Sequence, residues 1–159
     1  MKTRIGFGFD VHPLEANLAF TLGGINVLHH KGSVGHSDAD TLIHAICDAL
    51  LGAANLGDIG LHFPDTSAEF KGIDSKILLS RTVAVLREKG YEISNIDSTV
   101  CLQQPKIKAY IPQMKQILAQ TMGIPDEDIS IKATTTEKLG YVGREEGVSA
   151  YAVVLITKE

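Results

Sequence analysis

The sequence predicts an α+β fold, a single-domain α/β sandwich in which helices pack on one face of a mainly antiparallel or mixed sheet. Stretches of alternating apolar and polar residues are interspersed with longer segments that have helical spacing. No repeat, low-complexity tract or Pro/Ser-rich linker divides the 159 residues, and 44% of them are hydrophobic, which is enough for one core. We therefore expect one domain over residues 1–159.

The chain is predicted to begin with a strand and a hairpin. Residues 3–9 alternate, so that Ile5, Phe7 and Phe9 share one side of the strand and the residues between them occupy the other. Residues 18–28 are mostly apolar on both sides of a Gly-Gly pair, which is the pattern of a hairpin turn.

Two helices are expected next. The first covers about residues 39–55, with Asp38 as its N-cap and apolar residues at helical spacing along one side. The second begins at Asp74 or Ser75 and ends before Gly90, which occupies the position of a helix-terminating glycine.

The second half of the chain continues the alternation of strands and helices. A strand is predicted over residues 91–103, a third helix over about 108–122, and a short strand around 129–133. Residues 139–147 are rich in glycine and are expected to form a loop. The β-branched segment 148–157 is expected to be the closing strand.

Composition excludes several classes of protein. The 15 Lys and Arg residues against 19 Asp and Glu residues give a net charge of −4, so no net positive field favours nucleic acid as a partner. No apolar run approaches the roughly 20 residues that span a bilayer, and the N-terminal segment lacks a signal-peptide core. We expect a cytoplasmic protein without a membrane partner, in which Cys47 and Cys101 are buried free thiols.

Three residues could form a metal site. Asp10 and His12 are two positions apart at the end of the first strand, so their side chains project to the same side. With His44 from the first helix they would supply one carboxylate and two imidazoles and leave a fourth tetrahedral position open. The alternative is that Asp10 caps a loop and His12 is a solvated turn residue. Spacing alone does not select these ligands, because the chain has six histidines.

Four further segments carry polar groups that could line a pocket. Asp58–Gly60 and Phe63–Thr66 are turn-rich loops with carboxylates, and Thr134–Lys138 offers hydroxyls, a carboxylate and a cation at the end of a predicted strand. Lys106 and Lys108 lie where a loop meets a helix N-terminus, a position that suits anions. Each segment also has a structural explanation, as a turn, as β-branched strand residues or as a solvated loop.

Several motifs, read in order, resemble those of the 2-C-methyl-D-erythritol 2,4-cyclodiphosphate synthases. The three most specific are FDVH at residues 9–12, HSDAD at 36–40 and KATTTEKLG at 132–140. The others are DIG, FPDT, FKG, PK and GR, at 58–60, 63–66, 70–72, 105–106 and 143–144. The resemblance runs from about Arg4 to the end of the sequence.

The resemblance implies a function. Members of this family of the non-mevalonate isoprenoid pathway convert 4-diphosphocytidyl-2-C-methyl-D-erythritol 2-phosphate into the 2,4-cyclodiphosphate and CMP, which makes them phosphorus–oxygen lyases. They are homotrimers with active sites between adjacent subunits. Some bind an isoprenoid diphosphate in a central cavity, near the motif that matches Gly143 and Arg144 here.

The resemblance also assigns roles to residues. The zinc ligands of the family fall on Asp10, His12 and His44, and the ligand of a second divalent cation, Mg²⁺ or Mn²⁺, falls on Glu137. The family's residues that position the reacting phosphates fall on His36, Ser37 and Thr135, of which His36 and Thr135 are expected to be catalytic. Its polyol loops fall on residues 58–60 and 63–67, and its cytidine contacts fall on residues 102–108 and 134–137 of the neighbouring subunit. The substrate-binding set that the resemblance implies consists of Asp10, His12, His36, Ser37, Asp58, Ile59, Gly60, Phe63, Pro64, Asp65, Thr66, Ser67, Leu102, Gln103, Gln104, Pro105, Lys106, Ile107, Lys108, Thr134, Thr135, Thr136, Glu137, Tyr141 and Arg144.

Two other functions could use the same residues. A metal-dependent phosphohydrolase would activate a water molecule with the same histidines and aspartate, and a non-catalytic trimer would bind isoprenoid phosphates through Arg144 and Glu146. The sequence departs from the family pattern at Pro13, Ser67 and Tyr141, none of which is an expected metal ligand.

Overall fold

A computed structural model of the chain, which describes residues 1–159, contains seven strands and five helices. The strands are β1 (Lys2–Ala16), β2 (Phe20–Leu22), β3 (Ile25–Val27), β4 (Lys31–Ser33), β5 (Glu92–Cys101), β6 (Ile129–Thr134) and β7 (Gly147–Lys158). The helices are α1 (Thr41–Ala53), α2 (Ile59–His62), α3 (Ser75–Glu88), α4 (Ile111–Met122) and α5 (Gly140–Gly143). Single 3₁₀ turns occur at Ala68–Phe70, Lys108–Tyr110 and Asp126–Asp128.

Five strands form one mixed sheet in the order β4-β1-β7-β5-β6. Neighbouring strands are antiparallel except β5 and β6, which run parallel. Helices cover one face of this sheet and enclose a single hydrophobic core, as the sequence predicts for an α+β fold. The predicted hairpin is confirmed as β2 and β3, which form a separate two-stranded sheet.

Helix α1 lies directly on β1 because two residues of the strand have no side chain. The even-numbered positions of β1 face the helix, and they include Gly6 and Gly8. A Cβ atom on Gly6 would lie 1.8 Å from the carbonyl oxygen of Ala49, and one on Gly8 would lie 1.9 Å from that of Ala45. Both distances are far below van der Waals contact, so this approach requires glycine at both positions.

The alternation of β1 directs its large apolar side chains away from the helices. Ile5, Phe7 and Phe9 share one side of the strand, as predicted, and 71%, 62% and 40% of their surface is exposed. Tyr151 and Val153 of β7 lie beside them and are also exposed. We call these five residues the outer face of the sheet. A contiguous exposed patch of this kind is typical of an interaction surface.

The first helix begins two residues later than predicted, because Asp40 and not Asp38 is its N-cap. The buried Asp40 carboxylate accepts hydrogen bonds from the backbone N–H groups of Ile43 (3.0 Å), Gly23 (3.0 Å) and Gly24 (2.7 Å). The cap therefore also binds the turn of the β2–β3 hairpin to the start of α1. Burial raises the pKa of Asp40 above its ordinary value, although these hydrogen bonds oppose the shift.

The prediction of the first strand over residues 3–9 is too short, because β1 continues to Ala16, and β4 and α2 were not predicted. The elements from α3 onward follow the prediction with small differences. α3 begins at Ser75 with Asp74 as its N-cap, and Gly90 beyond its end has a positive φ. A 3₁₀ turn replaces the predicted first turn of α4, and β5 ends two residues early at Cys101. The expected loop over residues 139–147 contains the short helix α5. No helix has the length and apolarity needed to cross a membrane.

The two cysteines are free thiols, as expected, but only one is buried. Cys47 lies inside the core, where burial raises the pKa of its thiol to about 12. Cys101 is partly exposed, so the prediction that both thiols are buried is wrong for this residue. Its strand ends there, at the edge of the region that the core covers.

Replacing Gly8 by alanine tests the contact between β1 and α1. The added methyl group overlaps the Ala45 carbonyl oxygen and forces α1 away, so we expect Gly8→Ala to lower the free energy of unfolding by about 3 kcal/mol. The matched control is Gly52→Ala in α1, where no atom outside the neighbouring helix backbone lies within 4 Å of the added carbon. This control should raise stability by about 0.5–1 kcal/mol. Urea titration at one protein concentration measures both effects, and equal effects would contradict the close contact.

Candidate active site

Three side chains that could hold a metal ion converge where β1 passes the start of α1; we call their donor atoms the metal-binding triangle. Asp10 and His12 project from the same side of β1, and His44 lies in the first turns of α1. Asp10 Oδ2 is 2.9 Å from His12 Nε2 and 3.2 Å from His44 Nδ1, and the two imidazole nitrogens are 3.3 Å apart. The structure thus brings together the three ligands that spacing alone could not select.

This triangle of donor atoms fits a metal ion. Asp10 Oδ2 is buried and has no hydrogen-bond partner of normal geometry, although the two imidazole nitrogens lie close to it. Lone pairs that converge on a common centre produce this arrangement. A tetrahedral ion with bonds of about 2.0–2.1 Å holds its ligand atoms about 3.3–3.4 Å apart, which is close to the observed triangle. One carboxylate and two imidazoles are a donor set that zinc accepts.

Hydrogen bonds behind the two imidazoles determine which ring nitrogen faces the centre. His12 Nδ1 donates to the backbone carbonyl of Val34 at 2.8 Å, which leaves the lone pair of Nε2 for a metal. His44 Nε2 is 2.9 Å from Ser75 Oγ and 3.2 Å from Ser37 Oγ. Sequence analysis misses Val34 and Ser75, because both reach the site only through tertiary contacts.

The three groups also shift one another's ionisation. Burial raises the pKa of Asp10, but the interactions with His12 and His44 outweigh burial, and the pKa is lowered overall. Burial lowers the pKa of His12, but the Asp10 carboxylate and the Val34 carbonyl outweigh burial, and the pKa is raised overall. Asp10 is therefore ionised at neutral pH, which is the state that binds a metal.

A cavity of about 420 Å³ opens beside this centre. The sequence-predicted site residues in its walls are His12, His36, Ser37, His44, Ile59, Gly60, Phe63 and Asp65. Of the expected phosphate-positioning residues, His36 and Ser37 therefore lie with the expected polyol loops beside the triangle of Asp10, His12 and His44, whereas Thr135 does not. Asp58, Pro64, Thr66 and Ser67 belong to the same loops but do not line the cavity. The loop after α2 is fixed to the cavity wall by His36 Nε2, which donates to the Ser67 carbonyl at 2.9 Å.

Asp48 positions the loop at residues 58–60. A role for Asp48 in the site was not predicted from the sequence. Its Oδ1 atom accepts the backbone N–H of Ile59 at 2.8 Å, and burial raises the pKa of its carboxyl group. Asp58 completes the support by capping α2 through the N–H of Leu61 at 2.9 Å. Asp48 follows His44 by one helical turn, and this spacing is the sequence signal that could have identified it.

The residues expected to bind cytidine form a second, separate cavity of about 270 Å³. Its walls are Leu102, Pro105, Lys106, Ile107, Ala133, Thr134 and Thr135. It shares no residue with the first cavity, so Thr135 and His36 line different cavities of the chain. Gln103, Gln104, Lys108, Thr136 and Glu137 adjoin this cavity in sequence but do not line it.

The turn that carries Glu137 has an unusual backbone. Glu137 and Lys138 are consecutive non-glycine residues with φ of 53° and 63°. Three hydrogen bonds that involve side chains hold the turn: Glu137 N donates to Thr135 Oγ1 at 3.3 Å, Lys138 N to Gln103 Oε1 at 3.2 Å, and Thr136 Oγ1 to the Leu139 carbonyl at 2.7 Å. Such strained backbone persists where the surroundings enforce it and is concentrated at functional sites.

The last two expected substrate-binding residues, Tyr141 and Arg144, also lie outside both cavities. The Tyr141 hydroxyl is hydrogen-bonded to Ser149 Oγ, so it supports β7 rather than facing either cavity. Arg144 is exposed and its Nε donates to Glu146 Oε1 at 2.8 Å. The largest surface depression, about 570 Å³ along α4, contains no cationic side chain and offers nothing for phosphate chemistry.

Comparison with known sequences shows the family of the chain. The family model described as the YgbB family matches residues 3–157. A 2-C-methyl-D-erythritol 2,4-cyclodiphosphate synthase of Bacteroides fragilis is 64% identical over 158 residues, which is 99% of each chain. The synthase of Bacteroides thetaiotaomicron is 63% identical to this chain over 159 residues, which is the full length of both proteins.

Solved structures agree with this comparison. A CDP-bound form of 2C-methyl-D-erythritol-2,4-cyclodiphosphate synthase superposes with a TM-score of 0.90 at 34% identity, over 97% of this chain and all of the other. A CDP complex from Plasmodium falciparum superposes with a TM-score of 0.87 at 31% sequence identity, over 99% of this chain and 97% of the other. The bifunctional IspDF of Campylobacter jejuni superposes with a TM-score of 0.96 at 41% sequence identity, but this chain spans only 43% of that longer protein. The resemblance seen in the motifs is thereby confirmed, and the chain belongs to the YgbB family.

Proposed function

We propose that the chain converts 4-diphosphocytidyl-2-C-methyl-D-erythritol 2-phosphate into the 2,4-cyclodiphosphate with release of CMP, a phosphorus–oxygen lyase reaction of isoprenoid biosynthesis. The observation that carries the proposal is the triangle of Asp10, His12 and His44 donor atoms beside a cavity lined by His36 and Ser37. Its relatives with 63–64% identity bear the name of the synthase.

The reaction is an intramolecular phosphoryl transfer. An oxygen of the 2-phosphate attacks the β-phosphorus and forms a new P–O bond. The bond from that phosphorus to the bridging oxygen breaks, and CMP leaves with the electron pair. The chain therefore needs no covalent intermediate. Its task is to hold a flexible polyanion with the attacking and leaving oxygens in line, and to offset the negative charge.

Two cations account for the binding of such a substrate by a chain of net charge −4. When bound by Asp10, His12 and His44, zinc would supply a Lewis acid for a phosphate oxygen. A second divalent cation, Mg²⁺ or Mn²⁺, would offset charge on the diphosphate with Glu137 as its protein ligand. Glu137 is exposed at its turn and so is accessible to such an ion.

Three side chains would position the phosphates and the polyol. Ser37 Oγ accepts the N–H of Ala39 at 3.2 Å and lies 3.2 Å from His44 Nε2, so its own hydrogen remains to be donated to a phosphate oxygen. His36 holds the polyol loop through the Ser67 carbonyl and borders the cavity. Thr135 Oγ1 accepts the N–H of Glu137 and can donate its hydrogen to a phosphate in the same way.

A homotrimer with active sites between adjacent subunits would complete the site. His36 and Thr135 would act on the same phosphates, yet they line cavities that share no residue, which favours a site whose two halves would come from two chains. The outer face supplies the contact surface, because its exposed aromatic and aliphatic side chains gain most from burial against other copies. A central cavity lined by outer faces would also accept the apolar chain of an isoprenoid diphosphate, with Arg144 as the candidate cation.

Removal of a metal ligand tests the assignment of the metal site. We expect His44→Ala to lose its bound zinc and to lower the rate of CMP formation at least about 1,000-fold, which corresponds to about 4 kcal/mol of transition-state stabilisation. His30→Ala is the control, since His30 is an exposed imidazole without a hydrogen bond in the site. Metal analysis after dialysis and an assay of CMP release measure both variants. A zinc-free His44→Ala protein with full activity would refute the metal site.

Subunit complementation tests the shared site. Thr135→Val removes one hydroxyl with little change of shape, so we expect turnover to fall about 100-fold with KM changed less than about threefold. His44→Ala trimers should be weaker still, because their rate is expected to fall at least about 1,000-fold. When the two variants are co-expressed, a random mixture of chains makes about one quarter of the sites from an intact His44 half and an intact Thr135 half.

The expected result is therefore about one quarter of the wild-type activity in the mixed trimers. Each variant expressed alone is the control for residual activity. If mixed trimers are no more active than the parents, each site lies within one chain, and the proposed arrangement is wrong.

A further inference from the structure

A buried chain of hydrogen bonds leads from His44 away from the metal-binding triangle. His44 Nε2 lies 2.9 Å from Ser75 Oγ, and Ser75 Oγ is hydrogen-bonded in turn to Asp38 Oδ1. Ser75 is fully buried and is the first residue of α3. Asp38 lies just before α1, and its Oδ2 accepts the backbone N–H of Ser75 at 3.0 Å. This series of hydrogen bonds thus joins the His44 imidazole to the N-terminus of α3.

The direction of each hydrogen bond follows from the number of hydrogens available. An ionised carboxylate only accepts, so the single hydroxyl hydrogen of Ser75 must point to Asp38. The oxygen of Ser75 then has only a lone pair to offer His44, and the hydrogen of that contact must be on Nε2. His44 Nδ1 is consequently left with its lone pair, and this is the atom 3.2 Å from Asp10 Oδ2.

We infer that Ser75, oriented by Asp38, is a positioning residue that selects Nδ1 as the metal-binding nitrogen of His44. The inference rests on the metal site of the proposed function and deepens it. In the opposite tautomer, a hydrogen on Nδ1 would point into the centre of the triangle and exclude the ion. Val34 fixes His12 in the corresponding way through its carbonyl group, so both imidazoles are set by partners on their far side.

Ser37 does not replace Ser75 in this role. Its oxygen is farther from His44 Nε2, at 3.2 Å, and also accepts the N–H of Ala39. Ser37 lines the cavity, whereas Ser75 does not. Ser75 also donates two hydrogen bonds to the Asp38 carboxylate, one from its backbone N–H and one from its hydroxyl group. Only Ser75 therefore keeps its acceptor aimed at His44 whether or not a ligand occupies the cavity.

The first experiment measures zinc affinity of the full chain by competition with a chromogenic chelator. We expect Ser75→Ala to bind zinc about 10–100-fold more weakly than the wild type. Ser75→Thr keeps the hydroxyl and should recover most of this loss. The matched control is Ser98→Ala, which removes another buried hydroxyl, bonded at 2.8 Å to the Ser130 carbonyl, and should leave zinc affinity unchanged.

The outcomes separate this inference from the proposed function. If wild-type protein binds no zinc, the metal site itself is wrong. If wild-type protein binds zinc and forms CMP, but Ser75→Ala binds zinc within twofold of it, the proposed function stands and the role of Ser75 is refuted. Loss of affinity in Ser98→Ala equal to that in Ser75→Ala would also refute it, because general destabilisation would then explain the effect.

A second measurement tests the inference on the wild-type protein itself. Nitrogen-15 NMR of metal-free wild-type protein at mildly alkaline pH reports which nitrogen of each neutral imidazole carries hydrogen. We expect the His44 signals to belong to the Nε2–H tautomer, and we expect Ser75→Ala to increase the Nδ1–H form. A wild-type His44 that is mainly Nδ1–H would overturn the inference, even if Ser75→Ala failed to fold.

Discussion

The direct contact between β1 and α1 is the constraint on which the rest of the structure depends. Two residues of a strand advance about 6.6–6.8 Å and four residues of a helix about 6 Å, so alternate strand positions stay level with successive helical turns. Gly6 lies against Ala49 and Ala53, and Gly8 against Ala45 and Ala49. The next positions in this register bring Asp10 and His12 to His44. The metal-binding triangle is thus a continuation of the packing.

The same contact determines what the opposite face of the sheet presents. Because two inner positions of β1, Gly6 and Gly8, have no side chain, the large apolar side chains in this part of the strand are the odd-numbered ones that face outward. One chain leaves these apolar side chains exposed and keeps its two candidate half-sites in separate cavities. Both features favour assembly: burial of the outer face would provide the free energy, and the approach of neighbouring chains would provide the missing half of each site.

Local sequence patterns predicted most elements, because hairpins, caps and helical spacing depend on neighbouring residues. Where prediction failed, a tertiary contact decided the outcome. Asp38 and Asp40 are equivalent as caps in sequence, but Gly23 and Gly24 bind Asp40, and Ser75 binds Asp38. For the same reason the sequence could propose the three metal ligands without selecting them from six histidines. The resemblance to a known family selected them, and the distances now support that choice.

The central claim is that this metal-binding triangle supports cyclisation of a cytidine-linked substrate. Phosphorus NMR of the purified protein with 4-diphosphocytidyl-2-C-methyl-D-erythritol 2-phosphate, with and without a zinc chelator, tests the claim most directly. We expect CMP and the cyclic diphosphate in equal amounts, no product once the chelator has removed zinc, and recovery when zinc is restored. A ring-opened phosphate as the product, or turnover unaffected by complete removal of zinc, would contradict the account.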